Sequence, residues 1–187
     1  AGRNKKILTD FADENRDREG LAALISTIEH SDLGWDIRAP LRARGVSDNE
    51  LLSALFNYWK ERFFTDEYVV HDFPNAGAVD YVRTVHEAGA LVYYLTGRHV
   101  NGMSLGTVQS LTNHRFPYWR GRAILHLKPT FTMDDALYKQ EAISDINSHG
   151  GEVIATFDNE PANCNIFQKN FPGALNFFVD TEHSPEP

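Results

Sequence analysis

The sequence predicts an α/β protein: a parallel sheet with helices on both faces, preceded by a small all-helical segment. Three observations predict it. Short β-branched and aromatic runs alternate with helical patterns from about residue 67 onward, the texture of strands buried on both faces and linked by crossover helices. Every apolar pattern before that point has helical spacing. Polar residues gather directly after three of the runs, where right-handed crossovers place ligand sites along one sheet edge.

Taken in order, Ile7, Leu8, Phe11 and Ala12 begin the helical part, and Leu21, Leu24, Ile25 and Ile28 continue it. Ser47-Asp48-Asn49-Glu50 reads as a capping box with Ser47 at the N-cap. It opens a helix whose stripe is Leu51, Leu52, Leu55, Tyr58, Trp59 and Phe63. In the second part a helix over residues 76–88 precedes the run Leu91–Leu95, and one around Leu105–Leu111 precedes Ala123–Leu127. A helix from Asp134 to Asn147 precedes Val153–Phe157, and one from Pro161 to Asn170 precedes Leu175–Val179. The boundary between the two parts falls at 1–66 and 67–187.

The composition, 42% hydrophobic and 24% charged in 187 residues, excludes disorder and collagen-like repeats. A formal charge of −8 argues against a general binder of phosphate backbones. One cysteine, Cys164, makes no internal disulfide and points to a reducing compartment, the cytoplasm. No run approaches the roughly 18 apolar residues of a membrane span. Neither nucleic acid nor a membrane is an expected partner.

The residues after the runs carry the chemistry. Thr96-Gly97-Arg98-His99 follows the first, offering a hydroxyl, a close backbone N–H and a guanidinium fork to an anionic oxygen; the bland alternative is a tight turn. Lys128 ends the second run and Lys139 lies in the next helix, and either reaches a phosphate as a point charge. Asp134 and Asp135, in that helix's first turn, read as N-terminal caps. Asp158-Asn159-Glu160 follows the third run as hard oxygen donors suited to Mg2+, with Pro161 placed to start a helix.

A Thr after one strand, a Lys after the next and an acid after the third resemble the haloacid dehalogenase-like (HAD) superfamily. Leu95-Thr96-Gly97-Arg98 is similar to its second motif, Lys128 or Lys139 to the third and Asp158-Asn159-Glu160 to the fourth. Phe73-Pro74-Asn75-Ala76-Gly77 is similar to a Pro-Gly turn common there. The placement of Lys139 inside its helix resembles the phosphatase domains of polynucleotide kinase-phosphatases, and Lys139 is preferred on that ground. The resemblance covers about residues 67–181 and implies a three-layer Rossmannoid core, with residues 1–66 as an inserted helical cap. It implies an Mg2+-dependent phosphohydrolase with Thr96, Lys139 and Asp158 as catalytic residues. Gly97, Arg98 and Lys128 would bind a small phosphorylated substrate, the partner the resemblance implies, and Asp158, Asn159 and Glu160 would hold the metal. The chain departs from the family at residue 162, an alanine where a second acid is common.

The family's nucleophile, the first aspartate of a DxDxT motif after a hydrophobic strand, has no match in the chain. Asp10 and Asp13 in Leu8-Thr9-Asp10-Phe11-Ala12-Asp13 are one residue too far apart, and their surroundings are helical. The expectation is that the nucleophile strand is not included in this sequence and belongs between Leu91–Leu95 and Val153–Phe157. Those two runs are then expected not to pair directly. Two other readings stand beside the phosphatase: a non-catalytic scaffold that binds a phosphorylated ligand, and an end-processing phosphatase of nucleic acid. The second rests on Arg115, Arg120 and Arg122 around Phe116, Tyr118 and Trp119. His71 and His99 are the histidines near strand ends, and no pair has metal-ligand spacing.

Overall fold

Ile7, Leu8, Phe11 and Ala12 form the buried stripe of α1 (Gly2–Glu14) in a computed structural model that describes residues 2–118 and 121–181. Trp119 and Arg120 of the basic–aromatic cluster lie outside the described residues, as does the tail from Glu182. The chain divides into two compact units, one of the described residues of Ala1–Val92 and Val100–Ile124, the other of those of Tyr93–His99 and Leu125–Pro187.

The first unit is helical, as the spacing predicts. After α1 come α2 (Leu21–Ser26), a 3₁₀ turn at His30–Asp32, α3 (Ala39–Ala43), α4 (Asn49–Arg62) and α5 (Asp66–Val69). The unit also holds α6 (Ala78–Glu87) and α7 (Val100–Asn113). Leu8, Phe11, Ile25, Ile28, Leu41 and Leu55 belong to one continuous core. At the C-terminal end of α4 and just beyond it aromatic rings pack together, Trp59 on Phe63 at 4.8 Å and Phe63 on Phe64 at 5.0 Å. Arg3 is buried and ion-paired with Asp72, its guanidinium 4.3 Å from the Phe63 ring.

The cap of α4 differs from the expected one by a residue. Asp48, not Ser47, is the N-cap, its carboxylate accepting from the N–H groups of Glu50 at 2.9 Å and Leu51 at 3.1 Å. Two capping residues stand side by side, and the charged one gains more from the helix dipole.

The second unit carries the strands. β1 (Val92–His99) runs on through Thr96-Gly97-Arg98-His99, past the run's expected end at Leu95 and with no tight turn there, and α7 begins at the next residue. β2 (Ala123–Lys128) is its hydrogen-bonded neighbour. α8 (Asp135–Ser148), β3 (Ala155–Asp158), α9 (Pro161–Asn170) and β4 (Leu175–Phe178) follow within a few residues of their expected bounds. β3 and β4 pair in parallel, Asp158 opposite Phe178. Ile143, Phe167 and Phe171 form the buried centre, with Leu95 and Val153 packed on it.

The described strands do not by themselves make one sheet, and Leu91–Leu95 and Val153–Phe157 do not pair directly, as expected. They make two separate two-stranded sheets, β1 with β2 and β3 with β4. Buried-type strand sequences are left partly in solvent: Phe157 is 46% and Leu175 65% exposed. A strand with an open edge and an open face has nothing to exclude water from it.

Candidate functional site

Of the candidate residues, Gly97, Lys128, Lys139 and Asp158 meet along one face of α8. Asp134 caps this helix, its Oδ1 accepting the Leu137 N–H at 2.8 Å. With the cap taken by Asp134, the Asp135 side chain turns to the strands. Its Oδ1 accepts from Lys128 Nζ at 2.6 Å, from the end of β2. Its carboxylate also lies against Gly97, where an added Cβ would stand 2.9 Å from Oδ2. Only glycine leaves room for that approach.

Lys139 is four residues further, one helical turn or about 5.4 Å along the same face. Its ammonium forms an ion pair with Asp158 Oδ2, and both side chains are 8% exposed. Asp158 ends β3. Its Oδ1 accepts from the backbone N–H of Glu160 at 2.9 Å and from Asn163 Nδ2 at 3.2 Å. The Cys164 thiol donates to the Asp158 carbonyl at 3.4 Å, and burial together with the Asp158 charge pushes its pKa up. A thiol held protonated in this way is a poor nucleophile.

Thr96 Oγ1 accepts the Arg98 N–H at 3.3 Å, which leaves the hydroxyl's own hydrogen unspent by that bond. Glu160 is the N-cap residue of α9 with Pro161 behind it, so Pro161 opens the helix as the turn reading of Asp158–Pro161 expects. His99 packs edge-on to Phe131 at 5.5 Å and His71 beside Tyr68 at 6.4 Å.

Two positions were not singled out from sequence. Asp135 read as one of two redundant caps, and that redundancy was its signal, because one helix needs only one. Asn163 gave none beyond lying five residues after Asp158. A third feature, the clamp of His126, also went unread. Its Nε2 is 2.9 Å from Asp145 Oδ2 and its Nδ1 2.6 Å from the Tyr138 hydroxyl, which also lies 2.7 Å from the His126 carbonyl. A carboxylate only accepts, so Nε2 carries a proton. The clamp fixes α8 against β2 at the residue before Lys139.

The donor set for Mg2+ is partial. After its three bonds, two on Oδ1 and one on Oδ2, the Asp158 carboxylate keeps lone-pair capacity on Oδ2 alone, and Mg2+ takes as few as one or two carboxylates plus waters. Asp158 therefore fits as one ligand. No group of three His, Cys, Asp or Glu side chains converges among the described residues. No helix among them is long and apolar enough to cross a membrane. No protein family, characterised protein or solved structure matches the chain.

Proposed function

We propose that this chain forms most of a HAD-like, Mg2+-dependent phosphohydrolase that works through an aspartyl-phosphate, its nucleophile supplied by a strand outside these 187 residues. The observation that carries the reading is the buried Lys139–Asp158 pair on the same α8 face as the Asp135–Lys128 pair. An aspartate attacking phosphorus needs its negative neighbours neutralised, and Lys139 is the cation positioned to do this. The Thr96 hydroxyl and Gly97 N–H would hold non-bridging oxygens, with Lys128 and Arg98 orienting the substrate. Asp158 would hold the metal with Asn159 or Glu160, and the bound ion would offset charge on the phosphoryl group. The separation of β1 from β3 supports a strand between them, because one inserted strand, about 4.8 Å from each neighbour, would join both sheets. It would complete a three-layer core under a helical cap. Asp10 does not serve as the nucleophile in this reading: it lies on α1, bonded to Lys6 and Tyr68.

The test compares the chain with the complete product of its gene, using p-nitrophenyl phosphate with and without Mg2+. Turnover is expected from the complete product alone, abolished by chelation and reduced at least 100-fold by Lys139→Ala. No turnover from the complete product would replace this reading with a phosphate-binding scaffold.

A further inference from the structure

The helical unit contains a cavity of about 300 Å3 that the phosphatase reading does not use. It lies between the C-terminal part of α6 and the segment that follows α7, and its volume is at the low end for small-molecule sites (roughly 300–1,000 Å3). Its lining residues include two arginines, Arg83 and Arg115, two aromatic residues, Phe116 and Tyr118, and one acid, Glu87. Arg83 meets Glu87 only at 4.0 Å, with both side chains largely in solvent, so that pair holds the guanidinium weakly.

The frame around the cavity is fixed. His86 is buried, its Nε2 bonded to the Gly121 carbonyl at 2.8 Å, and Arg122 donates to the His86 carbonyl at 3.0 Å. Arg115 and Arg122 are the non-glycine residues with positive φ among the described residues, at 64° and 49°. Such backbone is costly for an L-residue and collects where function holds it in place.

We propose that this cavity binds a mononucleotide-type ligand, an aromatic base bearing a phosphate. The base stacks against Phe116 or Tyr118, as bases do on aromatic side chains in general. The phosphate takes the Arg83 and Arg115 forks, whose planar donors match its oxygens. In a chain of net charge −8, a pocket with two cations and one acid is a local reversal of sign, and it draws a dianion to that point.

Calorimetric titration of the 187-residue chain with AMP, adenosine, inorganic phosphate and a short oligothymidylate tests the site. AMP is expected to bind at least tenfold more tightly than either adenosine or phosphate, because only AMP fills both halves. Arg83→Gln is expected to weaken AMP at least tenfold and Tyr118→Ala at least fivefold, with Arg83→Lys intermediate because it keeps charge without the fork. Arg83 is solvent-exposed, so circular dichroism and the thermal midpoint of Arg83→Gln should match wild type. The proposal fails if AMP binds no better than phosphate, or if Arg83→Gln binds AMP as tightly as wild type. It also fails if the oligonucleotide binds more tightly than AMP with steep salt dependence, which marks a nucleic-acid surface instead.

Discussion

Lys139 and Asp158 face each other across the α8–β3 contact with both side chains almost wholly withdrawn from water. Neither charge is tolerable there alone. With Lys139 removed, the carboxylate keeps only the Glu160 N–H and Asn163 amide as donors, which do not offset a buried charge. Lys139→Met is therefore expected to cost about 3–5 kcal/mol of unfolding free energy. The double variant Lys139→Met/Asp158→Leu should recover most of that, since apolar pairs of similar volume replace buried ion pairs well. Urea unfolding of the two single variants and the double variant measures the coupling. Additive losses would show that the pair is not energetically linked.

Two glycines of similar sequence appearance have opposite tolerances. A Cβ at Gly106 would stand 2.3 Å from the backbone carbonyl of Asp66, whose carboxylate also accepts the Gly106 N–H at 2.6 Å. Backbone cannot rotate away, so Gly106→Ala should separate α5 from α7 and cost about 1–3 kcal/mol or more. At Gly97 the obstacle is the end of the Asp135 side chain, which is 61% exposed and free to turn outward. Gly97→Ala should cost less than about 1 kcal/mol, while it displaces the Asp135 carboxylate from Lys128. Thermal unfolding of both variants checks the order; Gly97→Ala as the more damaging change would contradict it.

The helices and the order of strands were legible because each follows from local patterning: the α1 stripe at Ile7, Leu8 and Phe11, and Pro161 opening α9. Sheet pairing was legible only in part: Leu91–Leu95 and Val153–Phe157 were expected not to pair directly, and they do not. The runs Leu91–Leu95 and Val153–Phe157 have the composition of central strands, and composition does not say which neighbour is present. The strand end at Thr96 was misplaced for a related reason, since Thr-Gly suits both a turn and the close approach that Asp135 makes to Gly97. Of the candidate site, the types of residue were readable from strand ends, and their mutual geometry was not. Which lysine meets Asp158 depends on the rotation of α8, set partly by the His126–Tyr138 clamp. That contact joins residues with no shared sequence pattern.

The displaced cap of α4 makes a prediction with a defined pH sign. The Leu51 and Glu50 N–H groups and Arg18 hold the Asp48 carboxyl below its usual range. A carboxylate whose folded pKa is lowered stabilises above its unfolded value near 3.9, and that contribution is lost as pH falls through the folded value. Asp48→Ala should lower the denaturant midpoint at pH 7, and the difference from wild type should shrink below about pH 4. Ser47→Ala should leave the midpoint nearly unchanged. Equal effects from the two substitutions would restore Ser47 as the cap.

The alkaline limit of stability should trace to buried phenols. Burial pushes Tyr94 up to about 12 and also raises Tyr138, beside the His126 clamp. Burial and the Glu14 carboxylate, which lies 2.6 Å from the Tyr58 hydroxyl, raise Tyr58. In the unfolded chain all of these ionise near pH 10. A raised folded pKa means that the folded state holds its proton longer, so this stability is whole below pH 10 and falls as pH rises toward 12. Tyr94 alone accounts for a loss on the order of 2 kcal/mol across that window. Denaturant unfolding at pH 9, 10, 11 and 12 should show a steeper decline for wild type than for Tyr94→Phe, which has no proton to lose. Absorbance at 295 nm should show these phenols titrating only above the exposed ones, or on unfolding. Matching pH slopes for wild type and Tyr94→Phe would mean that Tyr94 ionises in the folded protein as freely as in water.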